Sequence, residues 1–120
     1  MAGPDVPGTI DMNCPLISIG MPVYNSDRFI EDAITSVLHQ TFQNFELIIT
    51  DDGSTDDSAK IIESFTDKRI KFLRGEVNLG ISSRINHQVN IASGGFFVRM
   101  DADDIMFPSR IEEQFSFFKR

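Results

Sequence analysis

The chain has 120 residues, of which 41% are hydrophobic and 24% charged, a balance that excludes a disordered or low-complexity protein and fits one domain or part of one. Its net charge of −7 disfavours DNA and RNA as partners, because a nucleic-acid backbone attracts basic surfaces. The single cysteine, Cys14, excludes an intramolecular disulfide and a cysteine-based zinc site, and no apolar run reaches the roughly 20 residues that a membrane span needs.

The first half of the chain predicts two strand–helix pairs. Residues 1–14 have neither a basic start nor an apolar stretch, so we expect a flexible leader and not a signal peptide. Residues 16–21 (LISIGM) predict a strand, and apolar residues at intervals of four predict a helix that begins near Asp27. Residues 45–50 (FELIIT) predict a buried strand, and Asp56 or Asp57 can cap the helix that follows.

The second half repeats this pattern. Residues 70–73 (IKFL) predict a third strand and residues 96–100 (FFVRM) a fourth. Between them, Gly80 opens a helix whose apolar residues recur at helical spacing: Ile81, Ile85, Val89 and Ala92. Pro108 starts a last helix whose inward residues are Ile111, Phe115 and Phe118.

Four alternations of strand and helix predict a doubly wound α/β fold, in which helices cover both faces of a mainly parallel sheet. Right-handed crossovers leave few arrangements of the strands, and we expect the order 3-2-1-4. Ligands of such sheets bind beyond the carboxyl ends of the strands, at the point where the strand order reverses. A binding site is therefore expected between the first and fourth strands.

Polar residues gather where three of the predicted strands end. Residues 22–25 follow the first strand, residues 51–54 the second and residues 101–104 the fourth. The turns at the opposite edge carry no comparable acidic cluster. Because the carboxyl ends of parallel strands share one edge, this asymmetry indicates a site at that edge.

Each cluster also has a purely structural interpretation. A D-x-D pattern arises by chance about once in an Asp-rich chain of this length, so Asp101 and Asp103 either belong to a turn or hold a divalent ion such as Mg²⁺ or Mn²⁺. Asp52 either forms a turn with Gly53, which is free to adopt a positive φ, or accepts the imide N–H of a uracil or thymine base. Tyr24, the only tyrosine, either packs against that base or lies in the core.

The cations and nucleophiles leave similar alternatives open. The segment from Asn78 to Gly80 precedes a helix and is either a turn or an anion site. Arg84 and Arg99 are the cations best placed to meet phosphates, although pairing with a neighbouring Asp is the default. We expect His39 and His87 at the surface, and Ser54 has no His–Asp partner in view, so the sequence does not support a nucleophilic hydrolase.

Four motifs follow one another in a characteristic order: PVYN after the first strand, TDDGSTDDS after the second, NLG before a helix and RMDADDIMFPSR after the fourth. In this combination the chain resembles the inverting family-2 glycosyltransferases of the GT-A fold, from about Pro15 to the C-terminus. The resemblance implies a truncated Rossmann-like domain, in which residues 15–120 are the nucleotide-sugar-binding part and the acceptor-binding half is absent.

The resemblance also implies roles for individual residues. Pro22 and Tyr24 would line the nucleotide pocket, and Asp52 would read the base with Asp51 beside it. Asp103 would be the main metal ligand. Asp101 would lie nearer the ribose and would be the second metal ligand. The remaining residues implied for the donor site are Asn25, Gly53, Asn78, Gly80, Arg84, Asn86 and Arg99. Two positions depart from the pattern: Gln88 stands where glycine is common, and Arg84 where many relatives have a small residue.

The implied activity is transfer of a sugar with inversion from a nucleotide diphosphate sugar, expected to be a UDP-sugar, to a hydroxyl of a saccharide or lipid-linked acceptor, with Mn²⁺ or Mg²⁺ as cofactor. Such chemistry fits polysaccharide biosynthesis at the bacterial cell envelope. We expect a cytoplasmic protein, whose full-length form has peripheral attachment to the inner face of the membrane as an alternative. In the family the general base is a carboxylate well downstream of the D-x-D motif, so we expect no catalytic base before Arg120 and no turnover by this chain. We also expect weak self-association through the Phe-rich last helix and the uncovered sheet edge.

Two other function classes compete with this interpretation. A sugar-nucleotide nucleotidyltransferase would want a glycine-rich, basic phosphate loop directly after the first strand, where the chain has PVYNS. A receiver-like regulatory or non-catalytic nucleotide-binding module would want its acidic cluster after the first strand and not after the second. Nucleotide binding that depends on a divalent metal would favour the glycosyltransferase.

Overall fold

Strands and helices alternate along the whole described part of the chain, which in this computed structural model comprises residues 15–116. The elements are β1 (Ile17–Val23), α1 (Ile30–Leu38), β2 (Phe45–Asp52), α2 (Ser58–Glu63), β3 (Ile70–Gly75), α3 (Ile81–Ile91), β4 (Phe96–Arg99) and α4 (Arg110–Phe115). The four strands form one sheet in the order β3-β2-β1-β4, and every pair is parallel. This arrangement confirms the predicted α/β fold and strand order.

The helices begin later than the sequence predicts. Helix α1 starts at Ile30 and not near Asp27, because Ser26 O first accepts the N–H groups of Phe29 and Ile30 in a turn. Helix α4 starts at Arg110, two residues after Pro108. The N-cap of α2 is Asp57, which makes no side-chain cap, whereas Oδ1 of Asp56, one residue earlier, accepts the Ser58 N–H at 2.9 Å.

The apolar core lies on one face of the sheet. Alternate residues of β1, from Ile17 to Val23, are fully buried and pack against α1, where Ile30, Ile34 and Val37 are also fully buried. Because successive side chains of a strand point to opposite faces, this alternation leaves Ser18 and Gly20 on the other face. The core therefore fixes which residues of each strand turn toward α3.

The face of the sheet beneath α3 combines polar side chains with the apolar Ile48 and Phe97, and the buried face of that helix is rotated from the predicted one. Gln88 is the buried residue of α3, and its Nε2 donates to Ile48 O at 3.2 Å and to Thr50 Oγ1 at 3.0 Å. Val89 and Ile81 are 49% and 43% exposed, whereas Ile85 and Ala92 are partly buried, so the predicted apolar face coincides only in part with the buried face. Gln88 fits because position 20 is glycine: a Cβ there would lie 2.6 Å from Gln88 Oε1.

The last helix packs as predicted where it is described. Ile111 is fully buried, and the Phe115 ring lies 5.2 Å from the Phe96 ring, centroid to centroid. Phe118 and the predicted leader, residues 1–14, lie outside the described residues. Within residues 15–116 no helix is long and apolar enough to cross a membrane.

Candidate functional site

A cavity of about 490 Å³ opens at the carboxyl ends of β1 and β4, where the strand order reverses. We call it the main cavity because it has the most predicted site residues in its lining. Six residues predicted for the donor site line it: Pro22, Tyr24, Asn25, Arg99, Asp101 and Asp103. Four other residues complete the lining: Ser26, Phe29, Ile81 and Ala102. The predicted position of the site and nearly half of its predicted residues thus coincide with one cavity.

Three exposed carboxylates cluster on one side of this cavity. One oxygen from each of Asp101, Asp103 and Asp104 lies within 4.8 Å of the other two. Hard oxygen donors of this kind suit Mg²⁺ or Mn²⁺, which commonly take one or two carboxylates together with phosphate oxygens. Asp104 was not predicted as a ligand, although it stands in the same acidic run.

Arg99 forms an ion pair with one member of this acidic cluster. Its Nη2 lies 3.2 Å from Asp101 Oδ1, and both side chains are about half exposed. An exposed pair of this kind contributes little to stability and separates easily. Arg99 is therefore paired with a neighbouring Asp, as the default interpretation predicted. Because this exposed pair separates easily, the Arg99 side chain can turn to an anion in the cavity.

Asp52 lies apart from the cavity, in a buried network at the start of α3. Its carboxylate is 1% exposed and accepts the Leu79 N–H at 2.8 Å, the Gly80 N–H at 3.0 Å and Arg84 Nε at 2.7 Å. Burial alone would raise the pKa of Asp52, but these three donors and the charge of Arg84 outweigh it and hold the pKa below its usual value. Asp52 is thus an ionised, acceptor-only group.

The neighbouring residues of the second motif form a tight turn. Asp51 is also buried, and its Oδ2 accepts the Ser54 N–H at 3.3 Å while its Oδ1 has no hydrogen-bond partner among residues 15–116. Gly53 has φ of +74°, and a Cβ there would lie 2.7 Å from the Val77 carbonyl carbon. The predicted need for glycine at this position is confirmed.

Gly53 lines a second cavity, of about 540 Å³, at the ends of β2 and β3. Its other lining residues are Ser54, Arg74, Gly75 and Glu76. Asn78 and Asn86, both predicted for the donor site, are exposed and line neither cavity. The structure therefore divides most of the predicted residues between the main cavity, the second cavity and the Asp52 network, and it leaves Asp51, Asn78 and Asn86 outside all three.

Two apolar residues that line the main cavity were not predicted as site residues. Phe29 is 51% exposed and Ile81 is 43% exposed, although both belong to apolar patterns that predicted buried helix faces. Phe29 immediately precedes α1 and Ile81 is the first residue of α3, so both stand at helix starts beside the cavity. Their position at helix starts beside the polar clusters was the available signal. The exposure predicted for His39 and His87 is confirmed.

Comparison with known proteins identifies the class that this fold and site define. The profile of glycosyl transferase family 2 matches residues 18–120, and the chain belongs to that family. The match favours a glycosyltransferase over the nucleotidyltransferase and the receiver-like module.

Relatives and solved structures agree with this assignment. The chain is 40% identical over 110 residues to an uncharacterized glycosyltransferase of Haemophilus influenzae, covering 90% of this chain and 34% of that protein. It is 41% identical over 101 residues to the Escherichia coli protein WfgD, named UDP-Glc:alpha-D-GlcNAc-diphosphoundecaprenol beta-1,3-glucosyltransferase, covering 84% of this chain and 40% of that one. The structure matches residues 1-349 of S. aureus TarS in complex with UDP with a TM-score of 0.81 and 29% identity, over 87% of this chain and 32% of that chain. The chain thus spans 34% and 40% of the lengths of these two curated relatives.

Proposed function

We propose that residues 15–120 are the donor-binding part of an inverting glycosyltransferase that uses a UDP-sugar. The observation that carries this proposal is the cavity at the switch point of the sheet, where Tyr24 stands together with Arg99 and the D-x-D carboxylates Asp101 and Asp103. An aromatic ring, a cation and paired carboxylates are the groups that a base, a diphosphate and its metal would need. TarS, which is similar over most of this chain, has been solved with UDP and with UDP-GlcNAc.

The base would be bound by Pro22 and Tyr24 on one side and by Asp52 on the other. Asp52 is 1% exposed, so recognition of an imide N–H by its carboxylate requires Arg84 and the segment from Asn78 to Gly80 to shift. Asp52 Oδ2 accepts one N–H, from Gly80, and keeps acceptor capacity for a second. Asp51, Gly53 and Asn86 would support this part of the site.

The diphosphate would lie toward Arg99 and the D-x-D carboxylates, and not at the start of α1. Phe29 and Ile30, at the start of α1, already donate their N–H groups to Ser26 O, and the first turn of α1 carries the acidic Glu31 and Asp32. The first helix of this fold, whose N-terminus often binds phosphate, therefore offers few free donors. Charge compensation therefore falls to Arg99 and to a divalent ion held by the acidic cluster.

The acidic cluster fits a divalent ion by its donor set, three exposed carboxylates within reach of one another. Asp103 and Asp101 would hold Mn²⁺ or Mg²⁺, with Asp104 beside them. When bound, such an ion acts as a Lewis acid that stabilises negative charge on a leaving nucleoside diphosphate. The protein's own part is to orient the donor and to keep Arg99 close to its phosphates.

The acceptor would be a saccharide or a lipid-linked saccharide, and the general base a carboxylate beyond Arg120. Inverting transfer needs a base to remove the proton of the acceptor hydroxyl. WfgD, whose name specifies a diphosphoundecaprenol acceptor and UDP-Glc, is 41% identical to this chain over the shared part. This relationship supports a lipid-linked acceptor for the whole protein.

Calorimetry of nucleotide binding tests the proposal. UDP should bind, binding should strengthen when Mn²⁺ is added, and ADP should bind more weakly under the same conditions. Asp103→Asn should remove the effect of Mn²⁺, whereas Asp32→Asn, which changes an exposed Asp of α1, should leave it intact. Equal and negligible heats for UDP and ADP would refute the proposed function.

A further inference from the structure

The loop that carries Tyr24 is joined to the loop between β2 and α2 by its backbone. Three consecutive N–H groups after Tyr24 donate to side chains of alternate residues in the second loop. These bonds are Asn25 N to Ser54 Oγ at 2.9 Å, Ser26 N to Ser58 Oγ at 2.8 Å and Asp27 N to Asp56 Oδ2 at 3.1 Å. The acceptors Ser54, Asp56 and Ser58 all belong to the second half of the TDDGSTDDS motif, and Ser58 is the first residue of α2.

Side chains of the first loop return bonds to the backbone of the second. Asn25 Oδ1 accepts the Thr55 N–H at 2.8 Å and the Asp56 N–H at 3.4 Å, and Asp27 Oδ2 accepts the Asp57 N–H at 3.4 Å. We call this reciprocal set, between residues 25–27 and 54–58, the loop seam. It holds the two loops in one register across the edge of the sheet.

Asn25 is the centre of the loop seam. It has φ of +46°, the one positive φ of a residue other than glycine in the described part of the chain. Asn and Asp tolerate this left-handed conformation better than other residues with a side chain. Its amide oxygen faces the second loop and accepts the backbone N–H groups of Thr55 and Asp56.

The Tyr24 side chain depends on this backbone for its position. It is 43% exposed and stands at the main cavity, so little surrounding packing restrains the ring. Its own carbonyl accepts Ser26 Oγ at 3.1 Å, which closes the turn immediately after it. The direction of the ring is therefore set by the residues that follow it.

We propose that the loop seam, centred on Asn25, is a positioning device that holds the Tyr24 ring for the nucleobase. Asn25 is then a positioning residue and not a ligand of the nucleotide, which revises its predicted role. The inference rests on the proposed function, because it assigns Tyr24 to the base of a uridine nucleotide. It adds that residues 54–58, which do not need to touch the ligand, determine how well the base is bound.

Three substitutions at Asn25 separate the acceptor from the backbone conformation. Asn25→Asp keeps an acceptor and tolerates the positive φ, Asn25→Gly keeps only the conformation, and Asn25→Ala keeps neither. Tyr24 is the only tyrosine and the chain has no tryptophan, so tyrosine fluorescence reports on this one ring. Its anisotropy decay in the ligand-free chain measures the local motion of the ring, and calorimetry with UDP measures binding.

Loss of the acceptor should loosen Tyr24 and weaken UDP binding. For Asn25→Gly we expect faster local depolarisation of Tyr24 and an affinity for UDP about three- to tenfold lower, as the loss of one neutral hydrogen bond predicts. Asn25→Ala should behave at least as badly, and Asn25→Asp should restore most of both properties. Val37→Ala, which changes the core of α1 outside the loop seam, should lower the melting temperature and leave the Tyr24 anisotropy unchanged.

The results of these measurements test the inference separately from the proposed function. Wild-type anisotropy and UDP affinity in Asn25→Gly would overturn the inference, and so would a loosened ring with unchanged affinity. If wild-type protein failed to bind UDP, the proposed function would be refuted, and the anisotropy comparison in the ligand-free chain would still decide whether the loop seam holds Tyr24.

Discussion

Replacing Arg84 with methionine should destabilise the fold and change how its stability depends on pH. Arg84 Nε lies 2.7 Å from Asp52 Oδ1, and the two side chains are 14% and 1% exposed. Removing one partner of a buried ion pair costs roughly 3–5 kcal/mol when the remaining charge is left uncompensated. Here Asp52 keeps the N–H groups of Leu79 and Gly80, so we expect the loss of one charge-assisted hydrogen bond, about 2 kcal/mol. Such a loss lowers the melting temperature by roughly 10 °C in a domain of this size.

The pH dependence gives this prediction a second readout. Because the pKa of Asp52 is lowered in the folded state, the pair stabilises the protein above the pKa of an unfolded Asp and is lost as the pH falls through the folded value. The difference in the free energy of unfolding between wild type and Arg84→Met should therefore be largest near neutral pH and shrink in acid. Urea unfolding from neutral to acidic pH measures both curves.

Arg74→Met is the matched control for this experiment. Arg74 is 61% exposed and lies 4.0 Å from Glu63, so its replacement should change the free energy of unfolding by less than about 0.5 kcal/mol. If Arg84→Met cost no more than Arg74→Met at neutral pH, the Asp52–Arg84 pair would not be what holds the start of α3. A loss that did not change with pH would contradict the ionised state of Asp52.

Three further changes test other parts of the structure. Asp52→Asn should reduce the preference for UDP over ADP by about tenfold or more and leave the effect of Mn²⁺ intact. Asp103→Asn should remove the effect of Mn²⁺ and leave the preference for UDP intact. Identical calorimetric profiles for the two variants would show that the roles are misassigned. Gly53→Ala should lower the free energy of unfolding by at least about 1 kcal/mol in urea, because its φ is +74° and the new Cβ would meet the Val77 backbone. Gln88→Ala should cost about 1–3 kcal/mol by leaving buried polar groups without a partner, whereas Val89→Ser, on the exposed face of α3, should stay within about 0.5 kcal/mol. Equal losses in urea for these last two variants would contradict the orientation of α3.

The proposed self-association has a separate measurement. Val77, Leu79 and Val89 are 60%, 57% and 49% exposed, which leaves apolar surface along and before α3. Together with the edge of β4, which pairs with no further strand among residues 15–116, this surface favours weak association of the chain with itself. Light scattering should show a mass that rises with concentration, and a mass that stays monomeric would count against this expectation.

The alternation of elements and the position of the site could be predicted from the sequence. Buried parallel strands leave short apolar runs such as residues 45–50, and the right-handed crossover rule then limits their order. Because parallel strands share their carboxyl edge, Tyr24, Asp101 and Asp103 could be placed together from the sequence alone. Periodicity and chain direction are local properties, so they can be read from one sequence.

Only the tertiary structure decided which way individual side chains turn. The sequence placed Asn25 and Asp52 at the correct edge, but Asn25 faces a loop 30 residues away and Asp52 is held by Arg84, 32 residues away. Gln88 is buried because Gly20 leaves room for it, and Val89, the next residue of α3, is exposed. In each case the decisive partner is distant along the chain, and a buried polar group must find that partner or lose stability. Periodicity describes a residue's neighbours within its own element, whereas satisfaction of these polar groups depends on contacts that exist only once the elements have packed.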